Sequence, residues 1–292
     1  MKSAAKNVQL GVIGGSGIYK MEGAKVVKEH VVQTPFGSPS DVIFESEIEG
    51  KTVYFIPRHG VGHLLLPSEV PYAANIYALK TLGVTHVLAV SAVGIMQENI
   101  KPGDMVVPNQ IFDRTKGIRR STFFGSGCAG HVEFADPFGE EMRQIILKAA
   151  KKAGANVHDG GAYICMEGPQ FSTRAESNMY RDTIKPSVIG MTAIPEAKLA
   201  REAELCYGML ALATDYDCWK NDGADVSVEA VMAVLKENAA MANAIVKQVI
   251  ASLPASSNCP TLSAAQYAIM TNREMIPAKT KENLQAILGQ YF

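Results

Sequence analysis

Asp215 and Asp217 stand two residues apart, directly after the long apolar run 206–213, with Trp219, the chain's one tryptophan, just beyond them. Carboxylates at the end of a buried strand cost free energy unless a partner or a ligand uses them. Two of them close together in a dry site resist double ionisation, so one keeps a proton near neutral pH and can act as a general acid. The competing reading is a solvated turn, because turns favour Asp. The neighbouring tryptophan weighs against a wet loop.

Other segments offer anion-binding groups. Between Gly11 and Gly17 an apolar strand enters a glycine-rich turn carrying the hydroxyl of Ser16. Backbone N–H groups in such a turn cradle an anion; a plain strand-to-loop turn reads equally well. The segment lacks the Lys-Ser/Thr ending of a P-loop. It also fails the dinucleotide spacing, since Ile18, Tyr19 and Lys20 follow Gly17. That counts against an NAD-binding oxidoreductase, the rival from a different class. Arg58 follows the apolar run 53–56 and offers a donor fork suited to phosphate, or a surface ion pair. His59 and His63 lie four apart, but Gly60 and Gly62 between them argue against a helix, so their rings have no reason to share a face. No carboxylate is paired with them, and no metal is expected. Ser91 to Gly94 close the apolar run 86–91, either at a ligand crevice or in an ordinary turn. Glu167, Gly168 and Pro169 break another strand. Thr173 then reads as a helix cap with Glu176 as its capping-box partner. This leaves Phe171 on a loop, to stack on a planar base or to pack inward.

Strands and helices must hold these groups in place. Strand-like runs are expected at 9–13, 41–44, 53–56, 86–91, 105–108, 162–166, 187–191 and 206–214. Helical periodicity is expected at 69–82, 140–153, 174–181, 195–204 and 228–252. Their alternation implies an α/β layer fold, and hairpin-like stretches near 31–49 make the sheet mixed. Ser227 reads as the cap of the last helix, with Val228, Val231, Met232 and Leu235 on one face. A turn-rich linker at 254–260 divides a catalytic domain, 1–253, from a C-terminal helical extension, 254–292, with short helices near 262–272 and 281–289.

Bulk properties exclude several classes. The 292 residues carry a formal net charge of −1, which gives no electrostatic reason to expect nucleic acid or an acidic membrane. The pairs Arg119–Arg120 and Lys151–Lys152 read as solvated faces. No apolar run approaches a membrane span, and no secretory signal pattern is visible. The five cysteines are scattered and odd in number, which argues against a disulfide framework and makes cytoplasm the default compartment.

Taken together, the segments resemble the methylthioadenosine phosphorylase branch of the trimeric purine nucleoside phosphorylases. The resemblance runs from about residue 8 to 252. It rests on Gly14 to Gly17, Arg58-His59-Gly60, Tyr72 with Asn75, Ala78-Leu79-Lys80, Glu167-Gly168-Pro169, Gly190-Met191-Thr192, Pro195-Glu196 and the run from Thr214 to Lys220. It implies a phosphorylase-type three-layer α/β/α sandwich around a mixed, partly barrel-like sheet, assembled as a homotrimer. The implied reaction is phosphorolysis of 5'-methylthioadenosine, with a broader purine nucleoside phosphorylase as the near alternative. Inorganic phosphate is a co-substrate, and no organic cofactor is implied. Carried over by position, Ser16, Arg58, His59, Ser91, Ala92 and Thr192 hold phosphate. Met191 lies against the ribose, and Phe171 and Ser172 line the base pocket. Asp215 and Asp217 read the purine as the catalytic pair. Val228, Val231 and Met232 flank the 5' substituent, which His131 approaches from a neighbouring subunit.

Overall fold

Two apolar strands dominate the molecule, β6 (His86–Ile95) and β12 (Cys206–Asp215), buried along most of their length. They run parallel in register from Cys206 opposite His86 to Ala213 opposite Val93. Strands covered on both faces need such continuous apolar runs. The alternation along them divides the core in two: Val87, Ala89, Tyr207 and Met209 face one cluster, Leu88, Val90, Leu210 and Leu212 the other. The computed structural model describes residues 5–15, 24–220 and 227–292.

The remaining strands are β1 (Lys6–Asn7), β2 (Leu10–Gly14), β3 (Lys25–His30), β4 (Ile43–Ile48), β5 (Lys51–Pro57), β7 (Met105–Val107), β8 (Gln110–Arg114), β9 (Val157–Asp159), β10 (Ala162–Met166), β11 (Val188–Gly190) and β13 (Ser256–Ser257). The helices are α1 (Tyr72–Thr81), α2 (Glu140–Lys152), α3 (Arg174–Met179), α4 (Ala193–Glu202), α5 (Val228–Ser252), α6 (Ala278–Asn283) and α7 (Gln285–Leu288). One path through the large sheet runs β3-β4-β5-β2-β6-β11-β10-β8, with β12, β7 and β9 branching from β6. The sheet is mixed and open, not a closed barrel. Helices α1 and α4 cover one face, and α2 and α5 the other. This is the three-layer sandwich expected from the sequence.

The branch at β6 creates an opening. A strand has two edges, and β12 occupies one of them. On the other, β2 pairs with His86 to Ala89, and β11 pairs antiparallel with Gly94 and Ile95. Residues 90–93 lie between these two partners. Open α/β sheets bind ligands at such divergences.

Several sequence expectations are corrected. Ser91 to Gly94 do not form a turn: β12 pairs with them, so β6 runs on to Ile95. The helix expected at 69 begins at Tyr72, behind Pro71. The helix expected through 181 ends at Met179 and gives way to a π-helical turn, Tyr180–Ile184. Strands β1, β3, β8, β9 and β13 were not expected; β3 is almost wholly exposed and so lacks an apolar alternation to betray it. Residues 262–272 form turns after a short 3-10 segment, Pro260–Ser263, where a helix was expected. Ile276, Leu284, Ile287 and Leu288 pack into the same core as α1 and α4, and β1 pairs with β13. No disulfide joins the cysteines, although Cys206 and Cys259 approach to 3.2 Å. Among the described residues no helix is long and apolar enough to cross a membrane.

Candidate active site

Arg58 follows β5 and is one of the largest fully buried side chains. It is no surface ion pair. Its Nε and Nη2 donate to both carboxylate oxygens of Glu196, at 2.8 and 2.9 Å. Nη1 donates to Val90 O at 3.0 Å and Nη2 to Ile13 O at 3.4 Å, so the guanidinium ties β2, β6 and α4 together at the opening. Tyr207 donates to Glu196 as well. Burial works against the charge of Arg58, but Glu196 outweighs it and raises the guanidinium pKa. Among the described residues four of the five guanidinium N–H groups find acceptors, and one Nη1 hydrogen remains for a ligand.

His59, next in sequence, is buried. Its Nδ1 lies 2.8 Å from Leu65 O. A carbonyl only accepts, so Nδ1 carries the hydrogen and Nε2 is left as an acceptor. Burial, and then the charge of Arg58, push its pKa down to about 4, so the ring is neutral at pH 7. The expectation that His59 and His63 share no face is corrected: their rings stack at 4.3 Å. Positive φ at Gly60, Gly62 and His63 folds this turn back on itself. Near-parallel stacked rings do not converge their lone pairs on one ion. No group of three metal-ligating side chains occurs among the described residues.

At the opening in β6, the Ser91 hydroxyl lies 3.2 Å from that of Thr192 and donates to Ala92 O. Thr192 stands at the start of α4, its N–H directed to the Tyr163 hydroxyl. Ser16 lies outside the described residues. Gly14 at the end of β2 accepts from Arg58 N at 2.9 Å, which places the end of β2 beside Arg58.

Asp215 ends β12, and Asp217 follows it in a left-handed conformation, φ 50°. Both oxygens of Asp215 are engaged: Oδ2 accepts from Thr214 at 2.7 Å, and Oδ1 from Asp217 N at 2.9 Å. Asp217 Oδ2 is buried and has no hydrogen-bond partner among the described residues. Burial raises both carboxyl pKa values. Thr214 and the Asp217 N–H oppose the shift at Asp215, and the nearby hydroxyls of Ser177 and Ser172 oppose it at Asp217. A Cβ on Gly94 would sit 2.9 Å from Ile189, 3.4 Å from Asp215 Oδ1 and 3.6 Å from Asp217 Cβ, so glycine makes room for the pair. Gly94 lies three positions beyond Ser91, about 10 Å along β6. Trp219 closes the segment by donating to Ile95 O, with Arg181 over its ring.

Phe171 is 39% exposed on its loop. The capping box of Thr173 and Glu176 is formed, and Ser172 O accepts from the Cys218 thiol, which ties this loop to the segment after Asp217. Met191 lies against Gly168, where a Cβ would meet its sulfur at 2.5 Å. Val228 and Met232 are exposed on α5, Val231 is half-buried, and Leu235 packs on the core. His131 is exposed and tied through its backbone to Ala268, in the C-terminal segment.

The sequence reading gave two residues here no role in the site. Glu196, the partner of Arg58, lies 138 positions away in the chain. Arg119 is buried, not solvated, and is bound to Glu167. Neither pairing leaves a local signal, because each joins distant segments.

A family model described as the phosphorylase superfamily matches residues 9–251. A protein named S-methyl-5'-thioadenosine phosphorylase from Geobacter sulfurreducens is 56% identical, over 97% of this chain and 98% of its own. A crystal structure of methylthioadenosine phosphorylase from an antarctic soil metagenomic library superposes with a TM-score of 0.89 at 47% identity, covering 97% of this chain and 100% of the other. Methylthioadenosine phosphorylase from Schistosoma mansoni in complex with adenine gives a TM-score of 0.85 at 37% identity, covering 91% of this chain and 99% of the other.

Proposed function

The chain belongs to the phosphorylase superfamily, and from that premise we infer that it cleaves 5'-methylthioadenosine with inorganic phosphate, giving adenine and 5-methylthioribose 1-phosphate. It is a pentosyltransferase of nucleoside salvage. One observation in the fold carries this reading: a hydroxyl pair, Ser91 and Thr192, and a carboxyl pair, Asp215 and Asp217, flank the same opened strand. Their separation of about 10 Å along β6 suits a nucleoside, with phosphate and ribose at one end and purine at the other.

Phosphate binds between Ser16, Arg58, His59, Ser91, Ala92 and Thr192. Arg58 contributes its remaining Nη1 hydrogen, and neutral His59 accepts from a phosphate hydroxyl through Nε2. The phosphate oxygen attacks C1' of the ribose as the bond to N9 breaks. Positive charge develops on the ribosyl group and is stabilised by the phosphate itself. Met191 lies against the ribose, and Phe171 and Ser172 line the base pocket. The departing purine takes a proton at N7 from Asp215, whose raised pKa suits a general acid. Asp217 Oδ2, a buried acceptor without a donor, receives the 6-amino group.

The chemistry needs no metal and no organic cofactor. The working form is a cytoplasmic homotrimer, in which His131 reaches the neighbouring 5' pocket beside Val228, Val231 and Met232. Turnover of methylthioadenosine with and without phosphate tests the reaction class. Cleavage should require phosphate and survive dialysis against a chelator; equal cleavage in phosphate-free buffer makes the protein a hydrolase instead.

A further inference from the structure

We propose that Arg119 is a positioning residue that locks the sugar-facing segment Met191–Thr192 to the purine-facing turn at Glu167–Gly168, so that both halves of the site keep one fixed geometry. The proposal rests on the site reading above and concerns a residue that touches neither substrate.

The guanidinium is buried, and each of its three nitrogens donates. Nε donates to Glu167 Oε1 at 2.6 Å, and Nη2 to Glu167 O at 2.6 Å. Nη1 donates to Met191 O at 2.6 Å and to Ile194 O at 2.7 Å, with the Tyr72 hydroxyl at 3.3 Å. One side chain therefore fixes the carbonyls on either side of Thr192 and, through its other edge, both the backbone and the carboxylate where β10 ends. The second Glu167 oxygen accepts from Lys116 N, which anchors the loop that carries Arg119 itself. Met191 is held a second time by its side chain on Gly168. Thr192 is then fixed relative to Ser91, 3.2 Å away across the opening.

This arrangement explains why a buried, net-neutral pair lies here at all. Replacing such a pair by apolar groups is often neutral or stabilising, so stability alone gives weak reason to place it. Its geometric content is the planar fork, which can hold a carboxylate and three carbonyls at once. A lysine ammonium is a point donor and cannot span them. Displacing a reacting group by about 1 Å costs on the order of a hundredfold in rate.

The test uses two variants of the full chain. Arg119→Lys keeps the charge beside Glu167 but loses the fork. Arg119→Met with Glu167→Gln removes both charges and leaves no buried unpaired ion, which guards against misfolding. Thermal unfolding and circular dichroism establish the folded fraction; kcat and KM for phosphate and for methylthioadenosine are then measured separately. We expect kcat to fall about a hundredfold in both variants and the phosphate KM to rise about tenfold, with the unfolding temperature of the double variant close to wild type. A folded double variant with wild-type kcat and wild-type phosphate KM overturns the proposal and makes the pair structural. If wild type itself does not phosphorolyse methylthioadenosine, the function reading has failed. Calorimetric titration of inorganic phosphate and of adenine into wild type and variants then decides the positioning role independently. Weakened binding of either ligand in the folded variants supports it, and unchanged binding of both overturns it.

Discussion

Arg58, Ser91 and Thr192 sit where β5, β6 and α4 meet, and each is held by bonds inside this chain. Val228, Met232 and His131, at the other end of the proposed substrate, stand exposed; Val228 is 67% and Met232 56% accessible. The first region is assembled by the fold itself, with Arg58 buried against Glu196. The second is a set of side chains that a single chain leaves uncovered. A pocket for an apolar 5' group cannot work in that state, because it must exclude water to discriminate. Under the proposed function, phosphate and purine recognition belong to the protomer, whereas recognition of the 5' substituent requires an assembly.

The comparison breaks first at Arg58. Arg58→Ala should lower kcat/KM by about a hundred- to a thousandfold, the usual cost of one preorganised donor to a reacting anion. It should also destabilise the fold by about 3–5 kcal/mol, because Glu196 is left buried and unpaired. Denaturant unfolding beside steady-state kinetics reads both. A stable variant with a normal phosphate KM would show that the assembled region is not the phosphate site.

A smaller effect sharpens the purine end. Asp215→Asn should slow methylthioadenosine cleavage about a hundredfold by removing the acid, and gain relative activity on methylthioinosine, because an amide can donate to a 6-oxo group. Asp217→Asn should shift the same ratio. If wild type cleaves both substrates equally, or neither substitution moves the ratio, the pair is structural. There is a pH signature as well. Burial raises both carboxyl pKa values above the ordinary 3.8. The folded state therefore favours the protonated acid. It loses stability as pH rises from 3.8 through the raised value. Asp217→Asn should then unfold at a higher temperature than wild type at pH 7, by about 2–4 °C per kcal/mol, and the gap should close as pH falls toward 4. A gap that is constant with pH refutes the buried ionisation.

The smallest effect belongs to the uncovered region. Exchanging the methylthio group for hydroxyl buries a polar group without an assured partner, at a cost of about 1–3 kcal/mol. Methylthioadenosine should then exceed adenosine about tenfold or more in kcat/KM. Val228→Asp and His131→Ala should each narrow that margin while leaving phosphate KM unchanged. Light scattering should give a mass about three times the 31.4 kDa chain. A fully active monomer with the margin intact would remove the distinction between the two regions.

Much of this was legible in the sequence, for a local reason. Strands β2, β5, β6, β10 and β12 and helices α2 and α5 declare themselves by apolar runs and helical spacing within one window of residues. The glycine-rich turn, the capping box of Thr173 and Glu176, and the two aspartates at a strand end are likewise local, so they could be named and numbered before any fold was known. What tertiary structure alone decided are the pairings. No window contains both Arg58 and Glu196, or Arg119 and Met191, so the burial of both arginines could not be read from charge and neighbours. Ser91 to Gly94 look like a turn until β12 pairs with them, and β3 has no apolar stripe because it is almost wholly exposed. Asp217 shows the division most clearly. Sequence places the residue at the end of an apolar strand, but only the packing of Gly94 against it and the burial of its Oδ2 leave one carboxylate oxygen without a donor. Periodicity is a property of neighbours along the chain. Desolvation and unmet hydrogen bonds depend on what surrounds a group in space, and the fold decides that.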